Sequence, residues 1–197
     1  MTEPTHPRAG FAAIIGAPNA GKSTLVNRLT GSKVSIVTQK VQTTRFPVRG
    51  IAMEGESQIV LVDTPGIFTP RRRLDRAMVA SAWGGAQDAD VVVHLVDSAS
   101  HIASEGKQGE AADRRSAEDT ETIIANLKAT NTQVILALNK IDGMRRDTLL
   151  ALSHTLFETG VYSEVYMISA LSGDGVDDLK ARLALSMPEG HWLYPED

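Results

Sequence analysis

The chain has 197 residues, 42% of them hydrophobic and 22% charged, with a formal net charge of −4 and no cysteine. That length fits one domain with a real core, the missing thiols exclude a disulfide framework and a thiolate zinc site, and the charge gives no overall basic footprint for nucleic acid. The longest apolar runs, such as residues 91–96, are too short to span a bilayer, and the polar MTEPTHPRAG start lacks the basic-then-apolar pattern of a secretory signal, so a cytoplasmic protein is expected.

Short apolar runs alternate with longer amphipathic stretches, which predicts an α/β fold with helices on both faces of a mostly parallel sheet. In chain order the pattern predicts a strand over 11–15, a helix over 22–29 and strands over 47–53 and 58–62. Residues 54–57 are too few for a crossover, so the last two strands form an antiparallel hairpin in the six-stranded sheet. A helix over 74–84 follows, then a strand over 91–96. Residues 98–115, rich in Ser, Glu, Gly and Lys, read as a solvated loop opening a helix over 116–129. The remaining elements are a strand over 134–138, a helix over 145–158, a strand over 165–168 and a helix over 176–185 that stops before Pro188. The domain reading is 1–187, with MPEGHWLYPED beginning a linker to a further domain. Its large aromatics, Trp192 and Tyr194, leave open a tail folded back on its own domain.

Between the first strand and the first helix, GAPNAGKS matches the whole phosphate-loop pattern G-x-x-x-x-G-K-[ST]. Gly16, Ala17, Pro18, Asn19, Ala20 and Gly21 form the loop, and Lys22, Ser23 and Thr24 open the helix. The glycines let successive backbone N–H groups converge on phosphate oxygens at a helix N-terminus. Lys22 reaches the β and γ phosphates, and the Ser23 hydroxyl ligates a magnesium ion that bridges them. After the third strand, Asp63-Thr64-Pro65-Gly66 supplies a carboxylate for magnesium and a Gly66 N–H for the γ-phosphate. Upstream, residues 31–45 form a polar loop in which Thr44, or alternatively Thr43, ligates magnesium when the triphosphate is bound. Both loops would order around the γ-phosphate and relax on its loss.

Base identity is carried by Asn139-Lys140-Ile141-Asp142 at the end of the fifth strand. Guanine presents N1–H and an exocyclic amine side by side, and the Asp142 carboxylate can accept both; adenine lacks that pair. Two hydrogen bonds to a charged acceptor give discrimination on the order of 10² to 10⁴. Asn139 ties this pocket to the phosphate loop and the Lys140 stem covers the ring face. Ser169-Ala170-Leu171 completes the pocket with a backbone N–H, that of Ala170 in this reading, directed at guanine O6.

With GAPNAGKSTLVN, KVQTTR, DTPG, NKID, SAL and the ending WLYPED in place, the chain resembles the bacterial Era GTPases over nearly its whole length. The resemblance implies a Ras-like P-loop G domain that binds GTP or GDP with Mg2+. It also implies a following KH-type RNA-binding domain, which this sequence lacks, and a role in small ribosomal subunit assembly on the 3′ region of its rRNA. It further implies association with the cytoplasmic face of the inner membrane, for which no anchoring feature is seen; a monomer is expected.

Ile67 and Phe68 stand where a Ras-like GTPase has its water-orienting glutamine, so slow intrinsic turnover is predicted, with catalysis resting on Lys22, Thr44, Gly66 and Asn19. The Asn19 side chain either holds a potassium ion against the β and γ phosphates, as in cation-dependent GTPases, or simply braces the loop. Arg71, Arg72, Arg73 and Arg76 form either a partner-binding run or a solvated helix start. His94, on an apolar strand, is expected to be a satisfied core residue. The chief rival to a GTPase timer is a GTP-dependent binding module whose hydrolysis needs a partner; NKID and SAL disfavour an ATP-using kinase.

Overall fold

The computed structural model describes residues 6–31, 48–63 and 89–195, with the Asp63 side chain excepted. Its strands are β1 (Arg8–Gly16), β2 (Val48–Glu54), β3 (Ser57–Asp63), β4 (Val91–Asp97), β5 (Val134–Asn139) and β6 (Tyr162–Met167). They form one sheet in the order β2-β3-β1-β4-β5-β6. Only the β2–β3 pair is antiparallel, as its short connection requires; the two strands run closer to the turn than expected, leaving only Gly55 and Glu56 between them.

The helices among the described residues are α1 (Lys22–Thr30), α2 (Ser98–Glu105), α3 (Ala111–Ala129), α4 (Arg146–Phe157) and α5 (Val176–Ser186). Alternate residues of the central strands enter opposite cores, which is why these strands read as continuous apolar runs. Ala12, Ile14, Val93 and Leu95 pack with Leu25 and Leu29 of α1 and with Leu179 and Leu183 of α5. Ile15, Val96, Leu136 and Leu138 pack with Ile123 and Leu127 of α3 and with Leu152 and Leu156 of α4. Each such fully buried aliphatic side chain contributes about 1.5–3 kcal/mol relative to exposure.

Three readings of the sequence are corrected. Residues 98–115 are not a loop: α2 begins directly after β4, because the Asp97 side chain accepts the Ser100 N–H at 2.9 Å and caps it. His101 is buried on this helix and Ile102 packs against the core. The next helix starts at Ala111 rather than 116, since Glu110 and Asp113 form a reciprocal capping box. The Glu110 backbone N–H, followed by the Ser100 hydroxyl, holds the Asp113 carboxyl below its usual range. The last strand spans Tyr162–Met167, not 165–168. It is a sheet-edge strand whose polar Ser163 and Glu164 hide its start; Glu164 pairs with Arg182 of α5 at 2.8 Å. The helix expected over 74–84 and the arginines at 71–73 and 76 lie outside the described residues.

His94 is fully buried on β4, with Nδ1 and the Tyr162 hydroxyl 2.7 Å apart. Its Nε2 has no hydrogen-bond partner among the described residues, where the ring is satisfied on one side only. Burial first, then the positive charges of Lys22 and His101, lowers its pKa to about 3.

Residues 188–195 lie back against β1 and β3. Ala9 N–H donates to the Pro188 carbonyl and Gly190 N–H to that of Pro7. Trp192 donates from its indole to the Glu56 carbonyl at 2.8 Å, and Tyr194 is buried with Ala13, Val60 and Val62. The Gln58 side chain, 2% exposed, accepts from Leu193 and Tyr194 N–H and donates to the Tyr194 carbonyl.

β1 sits between β3 and β4, and α1 after β1 and α2 after β4 pack on opposite faces of the sheet. Such a switch point opens a crevice beyond the C-terminal ends of the strands. The phosphate-loop sequence follows β1 at this place.

Candidate nucleotide-binding site

The turn from β1 into α1 has backbone demands that few residues can meet. Gly21 has φ 102°, and a Cβ there would lie 2.4 Å from Asn139 Nδ2; a Cβ at Gly16 would lie 2.5 Å from the Leu95 carbonyl oxygen. Both glycines are therefore fixed by close approach and not by flexibility alone. Asn19, also in the left-handed region at φ 65°, is exposed at the crest of the loop, and Ala17 and Ala20 are buried beneath it. The N-cap of α1 is Gly21, which has no side chain to offer the first turn, and a helix N-terminus of this kind suits an anion. The Lys22 ammonium donates to the carbonyls of Gly16 at 2.8 Å and Ala17 at 3.2 Å, which lays it across the loop. Ser23 and Thr24 are exposed at the head of the helix.

Asn139 ends β5 and is 2% exposed. Its Nδ2 donates to the Ala20 carbonyl at 2.9 Å and its Oδ1 accepts the Ala170 N–H at 2.9 Å. One amide thus joins the phosphate loop to the Ser169 turn, as expected of it. Lys140, at φ 61°, extends to the loop and donates to the Asn19 carbonyl at 2.8 Å and to Asp97 Oδ2 at 2.7 Å. Two left-handed residues are therefore held together by a single ammonium. The buried Ser169 hydroxyl donates to Asp142 Oδ2 at 2.9 Å and accepts the Ser172 N–H, turning the exposed carboxylate, whose other oxygen accepts no hydrogen bond among the described residues.

One expectation is overturned. The Ala170 N–H, expected to face guanine O6, is taken by Asn139 Oδ1. The next amide, that of the 76% exposed Leu171, has no partner among the described residues. Thr43, Thr44, Gly66 and the Asp63 side chain lie outside what the structure describes. The Asp63 backbone ends β3 in register with Ile14, two residues before Gly16.

Two participants escaped the sequence reading. Asp97 stands opposite Asn139 at the end of the neighbouring strand and is 7% exposed. An acidic residue closing an apolar strand beside the NKID strand was a signal that could have found it. Arg28, in the last turn of α1, donates to the carbonyls of Ala170, at 3.1 Å from Nε, and Leu171. Nothing local marks it. Among the described residues no helix is long and apolar enough to cross a membrane, and no cluster of three or more His, Asp or Glu could hold a metal.

Comparison with known proteins agrees with this geometry. The chain is 67% identical over its full length to a GTPase Era from Caulobacter vibrioides, and spans 63% of that relative. Among solved structures it is similar to an Aquifex aeolicus Era variant bound to GDP and AlF4− (TM-score 0.66, 35% identity, covering 96% of this chain and 60% of that one). It is equally similar in fold to Era in complex with MgGDPNP and nucleotides 1506–1542 of 16S ribosomal RNA (TM-score 0.66, 36% identity, covering 98% and 61%). The chain thus spans less than two thirds of the relatives it matches, and the resemblance to Era holds across all of it. Residues 11–140 match the profile of the 50S ribosome-binding GTPases, and the chain belongs to that family.

Proposed function

We propose that the chain binds GTP and GDP and hydrolyses GTP to GDP and phosphate, acting as a two-state switch. The observation that carries this reading is the pair of bonds made by Asn139, which fasten the phosphate loop and the Ser169-Ala170-Leu171 turn side by side through one buried amide. Asp142, oriented by Ser169, accepts the guanine N1–H and amine. Backbone N–H groups at the turn into α1, with Lys22, Ser23 and Thr24, take the phosphates; Pro18 has no N–H and that of Ala20 is bonded to the Ala17 carbonyl.

The hard oxygen donors of Ser23, Thr44 and Asp63 suit Mg2+, and the register of Asp63 beside the phosphate loop supports that assignment. When bound, the ion neutralises phosphate charge. Lys22 and the Gly66 N–H stabilise charge developing on the γ-phosphoryl oxygens, and Thr44 closes the loop over them. With Ile67 in place of a glutamine, no side chain there orients water, and intrinsic hydrolysis is slow. The Asn19 side chain, which bonds nothing among the described residues, is free to contribute to a potassium site, whereas its main chain is what braces the loop through Lys140.

The wider role is carried over from the relatives. Residues 1–187 are the GTPase domain, 188–197 begin a connection to a further, RNA-binding domain, and the longer protein serves small-subunit assembly on 16S rRNA. That protein would work as a cytoplasmic monomer, with weak peripheral contact at the inner membrane. A GTP-dependent binding module that needs a partner for hydrolysis is the alternative, and single-turnover hydrolysis by the purified chain separates the two.

The decisive test is Asp142→Asn. An amide can donate to the extra carbonyl of xanthine, so preference should move from guanine to xanthine nucleotides by about 10²-fold or more. Retained guanine preference would place the base pocket elsewhere.

A further inference from the structure

Arg28 makes contacts that the proposed chemistry does not use. It projects from the last turn of α1, the helix that begins at the phosphate loop, and its guanidinium grips two consecutive carbonyls, those of Ala170 and Leu171, across 142 residues of sequence. Each peptide unit is planar and trans, so its C=O and the N–H of the next residue point in opposite directions. Drawing the Ala170 carbonyl toward α1 therefore turns the Leu171 N–H away from α1. Drawing the Leu171 carbonyl the same way turns the Ser172 N–H, which is received by Ser169 Oγ at 3.1 Å. The Ala170 N–H is already bound to Asn139 Oδ1. Of the three amides in this turn, that of Leu171 alone has no acceptor within the described protein, and the Arg28 grip fixes its direction.

We propose that Arg28 is a positioning residue for base recognition: by holding the Ala170 and Leu171 carbonyls it aims the Leu171 N–H at guanine O6. This rests on the guanine-nucleotide reading of the site. The guanidinium also polarises both peptides, since charge-assisted bonds to a carbonyl strengthen donation from the N–H of the same unit. Arginine suits the task because two carbonyls one residue apart match its forked donors, whereas a lysine ammonium offers a single point charge.

The test compares GDP with 6-thio-GDP, which keeps the N1–H and amine that Asp142 accepts but replaces O6 with a larger, weaker acceptor. Affinities are measured by calorimetry for the unaltered chain, Arg28→Met and Arg28→Lys. The unaltered chain should favour GDP by about tenfold. Arg28→Met should weaken GDP by about tenfold while changing 6-thio-GDP little, so that the ratio falls toward one, and Arg28→Lys should restore part of it. Equal weakening of both ligands in Arg28→Met would mean that Arg28 only supports the fold, and would overturn the proposal. A ratio near one in the unaltered chain, with GDP still bound, would overturn it too, since O6 would not be read by an amide. Absence of GDP binding by the unaltered chain would instead strike the nucleotide reading itself. Should Arg28→Met fail to fold, a ratio in Arg28→Lys identical to that of the unaltered chain would count against the proposal.

Discussion

Replacing Gln58 with leucine should release the end of the tail while leaving the sheet intact. Gln58 is a polar side chain on β3, 2% exposed, and among the described residues its side chain bonds only to the tail. Oε1 accepts from Leu193 N–H at 2.8 Å and Tyr194 N–H at 3.1 Å, and Nε2 donates to the Tyr194 carbonyl at 3.0 Å. Leucine has a similar volume and satisfies none of these groups. At about 1 kcal/mol net per bond, docking of residues 191–195 weakens by about 3 kcal/mol. Opposing release are the burial of Tyr194, worth about 2 kcal/mol, and the exposed Trp192 indole bond to Glu56, worth about 1 kcal/mol. The total of about 6 kcal/mol with Gln58 in place exceeds the ordering entropy of five residues at about 1 kcal/mol each, but the about 3 kcal/mol left after the substitution does not, so a large fraction of molecules should have a free end. Residues 187–190 stay fastened through Arg8 and the backbone bonds to Pro7 and Ala9. In a Trp83→Phe background, Trp192 emission should shift to the red and become accessible to acrylamide, and chymotrypsin should cut after Trp192 or Leu193; the Tyr194 bond is protected by Pro195. Because undocking is local, the loss in global stability saturates at the docking free energy. A folded Gln58→Leu chain with unchanged Trp192 emission and unchanged cleavage would refute the clamp.

Two further outcomes follow from buried and exposed groups. His94 has a folded pKa of about 3 against an ordinary 6.5. The unfolded chain therefore binds the extra proton first, and stability is fully present above pH 6.5 and is lost as pH falls toward 3. Between pH 7 and pH 5 the His94 share of that loss is about 2 kcal/mol. Urea unfolding should show that much less acid sensitivity in His94→Leu; the lost Tyr162 partner lowers both of its values equally, so an unchanged difference between the two pH values would reject the assignment. Hydrolysis at saturating GTP should run about tenfold or more faster in potassium than in sodium, and Asn19→Ala should abolish the difference. Equal rates in the two salts would leave Asn19 as a brace of the loop.

Much of the fold and half of the site could be read in advance because their causes are local. Six apolar runs between turn residues gave the sheet, and a four-residue connection gave the antiparallel edge. GAPNAGKS and NKID each impose a backbone shape on their own few residues, which is why Gly21 and Asn139 meet where expected. What escaped depends on partners far along the chain. The Ala170 amide could not be assigned without knowing that Asn139 Oδ1 would reach it, and neither Arg28 nor Gln58 carries a mark of the carbonyls that each holds more than 130 residues away.

Asp97 shows why even an adjacent element can be missed. It closes β4, caps α2 through Ser100 and pairs with Lys140, three roles for one 7% exposed carboxylate. A reading that assigns each residue to one element sees the strand end and stops there, so the helix after it passes for a loop. Yet the three roles require one another. The cap fixes the carboxylate at the end of β4, and from there it meets Lys140, which stands just beyond β5, one residue past Asn139, the strand partner of Asp97. The same ammonium reaches Asn19. The conformation of the phosphate loop is thus tied to the start of a helix that the local pattern did not reveal, and the charge that links them belongs to the motif already read as the base pocket.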